Sequence, residues 1–232
     1  MPVNRLHVGR RGGRLHFTQT EAPYSTPEAS FRSVTGASSS PIVIPGYLVQ
    51  GVNSLTNPML VVFVFRDAAS GGVVSSITWN GYSLTSGQVQ ADAGTGFTRV
   101  EIWYLANPIP GTGSVICTAT GTITRLVAAA LFGGIADAAP EATAGQEGAA
   151  GTGLTTSIVT VSDGALIVDM YGTADSAPTA DVAQTSLYGQ SVVNGGAGIS
   201  YMYGGSAGSH DMTWSHSLSD RRAHALLAFA VA

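Results

Sequence analysis

Apolar residues along this chain come in short runs, and where they alternate with polar residues the period is two. Leu60-Val61-Val62-Phe63-Val64-Phe65 is a near-continuous β-branched and aromatic run of strand length, which predicts a central core strand. Ser76-Ile77-Thr78-Trp79 and Tyr82-Ser83-Leu84-Thr85 flank Asn80-Gly81. Both turn residues must accept positive φ, so this dipeptide predicts a tight hairpin. Residues 98–105 alternate polar and apolar, stop at Asn107-Pro108, and the pattern resumes over 114–120; residues 126–132 predict another strand. Residues 133–153, rich in Ala, Gly and Glu, are expected to form a long surface loop. Residues 156–161 and 165–171 bracket Asp163-Gly164 and predict a second hairpin, with further strands near 182–188, 199–203, 210–215 and 224–231. The last is so apolar that it is expected to lie centrally. About ten strands separated by Gly-rich turns, with no amphipathic helix, predict an all-β fold, a jelly-roll-like antiparallel β-sandwich.

The first forty residues are different. Arg5, Arg10, Arg11 and Arg14 stand among Gly9, Gly12 and Gly13, followed by Pro23, Pro27 and Ser38-Ser39-Ser40. No apolar period is sustained there. The chain therefore divides into an extended basic assembly arm, residues 1–40, and a single β-sandwich domain, residues 41–232. Ordering such an arm costs entropy that is recovered only on a preformed surface, its own domain or a neighbouring molecule.

Composition sharpens this picture. Hydrophobic residues make up 44% and charged residues only 10%, well below the usual quarter. The surface must be rich in Ser, Thr, Gly, Asn and Gln, which suits packing against protein or sugar and suits nucleic acid poorly. All ten basic residues are arginines. Arg5, Arg10, Arg11, Arg14 and Arg32 face only Glu21 and Glu28 within residues 1–40, a net +3, whereas the remainder carries five arginines and twelve acids, a net −7. These five arginines are the expected partner-docking residues, through bidentate pairs with carboxylates. Docking is preferred to nucleic-acid binding because the arm lacks interleaved aromatics and the body lacks a basic groove. The lone Cys117 excludes an internal disulfide and reads as a small buried hydrophobe. The N-terminal arginines precede no apolar stretch, and the longest apolar run, residues 126–135, is too short for a bilayer. A soluble protein made in the cytoplasm, with no membrane contact, is expected.

Candidate chemistry is sparse. Gly204-Gly205-Ser206-Ala207-Gly208 has the G-x-S-x-G spacing of a hydrolase nucleophile elbow, with Asp211 or Asp220 and then His224 following. An elbow needs a strand-to-helix turn, and the strand-like residues that follow favour a glycine loop. On a strand through His210–His216 the even positions share a face, so both histidines lie with Met212 and Trp214. That is the expected core face, and the spacing does not establish convergent metal ligands. Asp67, Asp92, Asp163 and Asp169 are scattered, Asp163 being explained by its turn. Tyr82, Tyr104, Tyr188, Tyr201 and Tyr203 are candidate glycan or protein contacts. Trp103 and Tyr104 point to opposite faces of a regular strand, so one of them is expected to face outward. No catalytic residue, cofactor or metal is assigned.

The order Ile77-Thr78-Trp79-Asn80-Gly81, then Val100-Glu101-Ile102-Trp103-Tyr104-Leu105-Ala106-Asn107-Pro108, then Ser157-Ile158-Val159-Thr160-Val161, Leu166-Ile167-Val168-Asp169 and Met212-Thr213-Trp214 resembles a β-sandwich domain of bacteriophage virion proteins and some bacterial surface proteins. The resemblance covers residues 47–232. It implies a structural or adhesive role, as head decoration, cement or spike, and assigns no catalytic residue. The expectation is a non-enzymatic virion structural protein, made in the host cytoplasm, that docks on the major capsid or another virion protein through its arm and forms homo-oligomers. The alternative is an adhesin or carbohydrate-binding module of a virion spike, a fibre or a bacterial surface, recognising a host surface glycan. A nucleic-acid-binding tail comes third.

Overall fold

The computed structural model describes residues 27–35, 40–49, 55–66, 73–92, 98–120, 124–174, 176–193 and 195–232. They form an all-β antiparallel sandwich of three stacked sheets, preceded by one helical turn, α1 (Pro27–Ser30). No helix among the described residues is long and apolar enough to cross a membrane.

The central sheet has the order β1 (Arg32–Thr35), β9 (Thr124–Phe132), β3 (Met59–Arg66), β7 (Arg99–Ala106), β6 (Thr85–Ala91). Its two faces explain the continuous apolar run in β3. Met59, Val61, Phe63 and Phe65 enter one core, and Leu60, Val62 and Val64 enter the other. A strand covered on both faces has no reason to alternate.

One neighbour is a smaller sheet, β2 (Ile42–Val49), β8 (Gly111–Ala119), β4 (Val74–Trp79), β5 (Tyr82–Ser83). Asn80 and Gly81 both have positive φ, 48° and 86°, and the predicted hairpin forms, with Trp79 opposite Tyr82. Tyr47, Ile77, Trp79 and Cys117 supply this sheet's side of the core.

The other neighbour has the order β10 (Ala142–Thr160), β15 (Gly208–Phe229), β11 (Leu166–Thr173), β14 (Gly195–Tyr203), β13 (Thr185–Val192), with the short β12 (Thr179–Ala180) also on β15. The terminal strand is central, as expected, but it inserts between β10 and β11. The turn at Asp163-Gly164 is therefore not a hairpin. Residues 142–153, expected in a loop, belong to β10, and the two strands expected over 210–231 are one.

The two longest strands double back. A straight 19-residue strand would span about 60 Å, yet Glu141 Oε1 accepts the backbone N–H of Val161 and Ser162 at 3.0 and 3.3 Å, and the Thr156 hydroxyl meets Gln146 Oε1 at 3.2 Å. The fold lies at the register shifts between Gly148 and Gly153. There Arg222 reaches across and donates to the carbonyls of Ala149 and Gly153. A Cβ on Gly148 or Gly151 would fall 2.7 or 2.6 Å from its guanidinium, which is why this stretch is written in small residues. The outer halves of β10 and β15, with β12, thus form a leaf over the outside of the sheet. Ile158 and Met212 of the leaf pack on Ile167, Leu226 and Ala228 beneath.

Part of the segment read as an arm is built into the body. Arg32–Thr35 pairs with Leu126–Ala129 of β9, and the Ser30 hydroxyl accepts the Leu131 N–H at 2.9 Å. Phe31 packs against Tyr188 of β13 at 6.2 Å between ring centroids. Arg5, Arg10, Arg11 and Arg14 lie outside the described residues.

Candidate functional site

The densest group of chemistry-bearing side chains lies beneath the leaf. Strand register places Leu226, Asp169 and Ser200 in one row across β15, β11 and β14, and Gln146, His224 and Tyr171 in the next across β10, β15 and β11. Asp169 is the hub. Its Oδ1 accepts the Ser200 N–H at 2.8 Å and the Ser200 hydroxyl at 2.7 Å; its Oδ2 accepts the Trp214 indole N–H at 2.7 Å and lies 2.9 Å from His224 Nε2. Gln184 Nε2 donates to the Ser200 hydroxyl at 2.7 Å, while its Oε1 accepts the Thr213 N–H at 2.6 Å. On the far side of the imidazole, His224 Nδ1 and the Thr156 hydroxyl are 2.9 Å apart.

Hydroxyl, imidazole and carboxylate in series are the parts of a nucleophile relay, but they are sealed here. Asp169 and His224 are fully buried, and Thr156 is 3% exposed. Trp214, Thr213 and Thr156 come from the leaf and Asp169, Ser200 and His224 from the sheet beneath, so the cluster's chemistry is to bind one to the other. A buried carboxylate is tolerable because it accepts this many hydrogen bonds.

The sequence-selected residues fall elsewhere. Ser206 lies on an exposed turn between β14 and β15, strand to strand, where its carbonyl is 3.1 Å from His210 Nε2 and the neighbouring Ala207 N–H bonds Asp163. His224 is engaged by Thr156 and Asp169, and Ser206 does not enter that group. Met212, Trp214 and His216 do face inward together. His216 Nδ1 bonds the Leu218 carbonyl at 2.7 Å, and burial holds its imidazole below the ordinary value. Among the described residues no three His, Cys, Asp or Glu side chains come together to hold a metal.

Trp103 and Tyr104 do lie on opposite faces, but neither faces outward, because the central sheet is covered on both sides. Trp103 packs toward the smaller sheet and bonds Glu101 Oε2 at 3.1 Å; Tyr104 meets Phe229 edge-on at 5.7 Å. Tyr201 is buried against Phe132, and Tyr188 is half-buried against Phe31. Of the five candidates only Tyr82, at 46% exposure, and Tyr203, at 52%, reach solvent substantially. Arg32 is exposed on β1, its Nη1 bonded to the Phe31 carbonyl. Sequence reasoning missed Asp169 as a hub; the available signal was one carboxylate inside the apolar run 165–171.

Burial, then repulsion from Glu101, pushes the Cys117 thiol up to about 12 from 9.0, with Arg66 opposing. An acid whose folded pKa is raised stabilises the fold fully below its unfolded pKa and loses that contribution as pH rises, here between about 9 and 12, by up to about 1.4 kcal/mol per pH unit. Burial raises the Tyr171 phenol as well, adding to the alkaline loss. Urea midpoints from pH 8 to 11 are expected to fall more steeply for the native chain than for Cys117→Ala; equal slopes would discharge the thiol from this role. Comparison with family models, curated proteins and solved structures finds no match for this chain.

Proposed function

We propose that the chain is a non-enzymatic structural protein of a phage-type virion, a decoration or cement protein whose β body stands on a shell or tail lattice and whose basic N-terminal segment staples it to neighbouring subunits. The observation that carries this reading is the attachment of that segment. β1 clamps residues 32–35 to the rim of the central sheet, so the 26 residues before α1, with four arginines and one acid, start from a fixed edge of a rigid stack. The resemblance in sequence and the burial of the reactive side chains support the same reading. Weak contacts of one kind, repeated over a lattice, become strong by avidity.

Replacing Arg5, Arg10, Arg11 and Arg14 by Gln in the full chain is expected to leave circular dichroism unchanged. Co-sedimentation with shells that lack the protein should be cut at least tenfold, with intermediate and salt-sensitive defects for single changes. Full occupancy by the quadruple variant would overturn the staple.

A second reading, an adhesin or carbohydrate-binding module, is favoured by Tyr82, which is exposed and stacked 6.5 Å from Trp79. It requires the isolated chain to bind a glycan and Tyr82→Ala to abolish that binding.

A further inference from the structure

The chain's charge is divided in three. Residues 1–26 carry four arginines and one acid, net +3; residues 27–132 balance to zero; residues 133–232 carry nine acids and two arginines, net −7. The whole acidic excess lies in the part that forms the bent sheet and its leaf. The described acids there include Glu147, Asp163, Asp181 and Asp211, all exposed.

The bent sheet also presents an edge. Among the described residues β10, 19 residues long, pairs only with β15, so its other side has no partner strand. Long edges are normally blunted by Lys, Pro or inward charges. This one has no Lys or Pro, carries Glu147 as its one charge, and leaves Val159 64% exposed near its end. The two register shifts at the bend divide it into two arms of mostly small side chains, residues 142–148 and 153–160, either of which suits main-chain pairing with an added extended segment.

Position decides what the segment is. Phe31, next to β1, contacts Tyr188 of β13 at one rim of the stack, whereas β6 packs beside β10 and β15 at the other, with Gln88 and Gln90 against Gly145. The basic segment therefore leaves from the rim opposite the β10 edge. We propose, resting on the staple reading above, that residues 1–26 of one copy dock along the β10 edge and acidic leaf of the next copy. Such a contact is heterologous and propagates head to tail into a ring or row. A segment of 26 residues reaches up to about 85 Å extended, and the sheet is about 24 Å wide at strand spacing, so reach permits the exchange.

Disulfide trapping in the full chain tests this, since the native Cys117 is buried. Mixing an Arg10→Cys variant with a Val159→Cys variant allows only links between copies. Oxidised dimers are expected at least ten times faster than when Arg10→Cys is mixed with Ser191→Cys, which sits on the opposite edge strand β13. The excess should vanish when Arg5, Arg11 and Arg14 are also Gln, and sedimentation should show that variant reduced to monomer. Equal rates at the two edges would overturn the proposal, as would a double variant Arg10→Cys/Val159→Cys that closes only within one chain. If trapping fails while the arginine-to-glutamine chain still loses shells, the staple stands and its target is the shell rather than a second copy.

Discussion

Asp169→Ala is expected to lower the melting temperature by about 10–15 °C. The carboxylate accepts from the Ser200 backbone and hydroxyl and from Trp214, and it engages His224. Removing it leaves buried donors with no replacement acceptor, at about 1–3 kcal/mol each. Partial relief by entering water brings the sum to about 4–5 kcal/mol, and a chain of this size loses about 2–4 °C per kcal/mol. Asp169→Asn keeps the volume and one acceptor oxygen, so it should cost about half as much. The damage should also be directional: amide exchange over 153–160 and 208–216 should accelerate more than over β3 and β9, because the cluster ties the leaf down while the two larger cores lie elsewhere. A loss under about 1 kcal/mol in Asp169→Ala, by urea titration, would remove the cluster from its structural role.

How much of this was legible in the sequence differs from strand to strand. β3 and the Asn80-Gly81 hairpin could be read because their signals are local: an unbroken apolar run and two residues that accept positive φ. The centrality of the last strand followed from its hydrophobicity. The first half of β10, residues 142–153, could not be read, since Ala, Gly and Thr carry no hydrophobic period; its conformation is imposed by pairing with β15 and by the space Arg222 occupies. The outward direction expected for Trp103 or Tyr104 assumed two sheets, and a third sheet covers the face that would have been exposed. The Asp169 cluster was illegible for a different reason. Its members are 13 (Thr156) to 55 (His224) residues from the hub in sequence, so only the fold brings them together. The lone carboxylate in an apolar strand signalled that partners exist without naming them. The arm boundary at residue 40 was set by composition, and β1 shows that four weakly patterned residues suffice for an edge strand when β9 presents its open side.

Gly198→Ala is expected to cost about 3–5 kcal/mol, an unusual penalty for one methyl group, and the reason is the indole above it. A Cβ at this position would lie 2.6, 2.7 and 2.8 Å from Cζ3, Cη2 and Cε3 of Trp214. The ring has little room to retreat: Tyr171 stacks on it at 5.8 Å, and its Nε1 is held by Asp169 at 2.7 Å. Overpacking alone costs about 1–3 kcal/mol, and a shift of the ring also weakens a hydrogen bond to a charged group worth about 1.5–3 kcal/mol. The same argument predicts strong coupling. In a Trp214→Ala background, itself destabilised by the cavity, the glycine substitution should cost under about 1 kcal/mol, so the double variant is far from the sum of the singles. Gly205→Ala is the control, since nothing lies within 4 Å of the added carbon and the change should fall within about 0.5 kcal/mol. Additive losses at Gly198 and Trp214 in urea titrations would mean that the leaf does not rest on this glycine, and the doubling back of β10 and β15 would have to be held by the Arg222 bend instead.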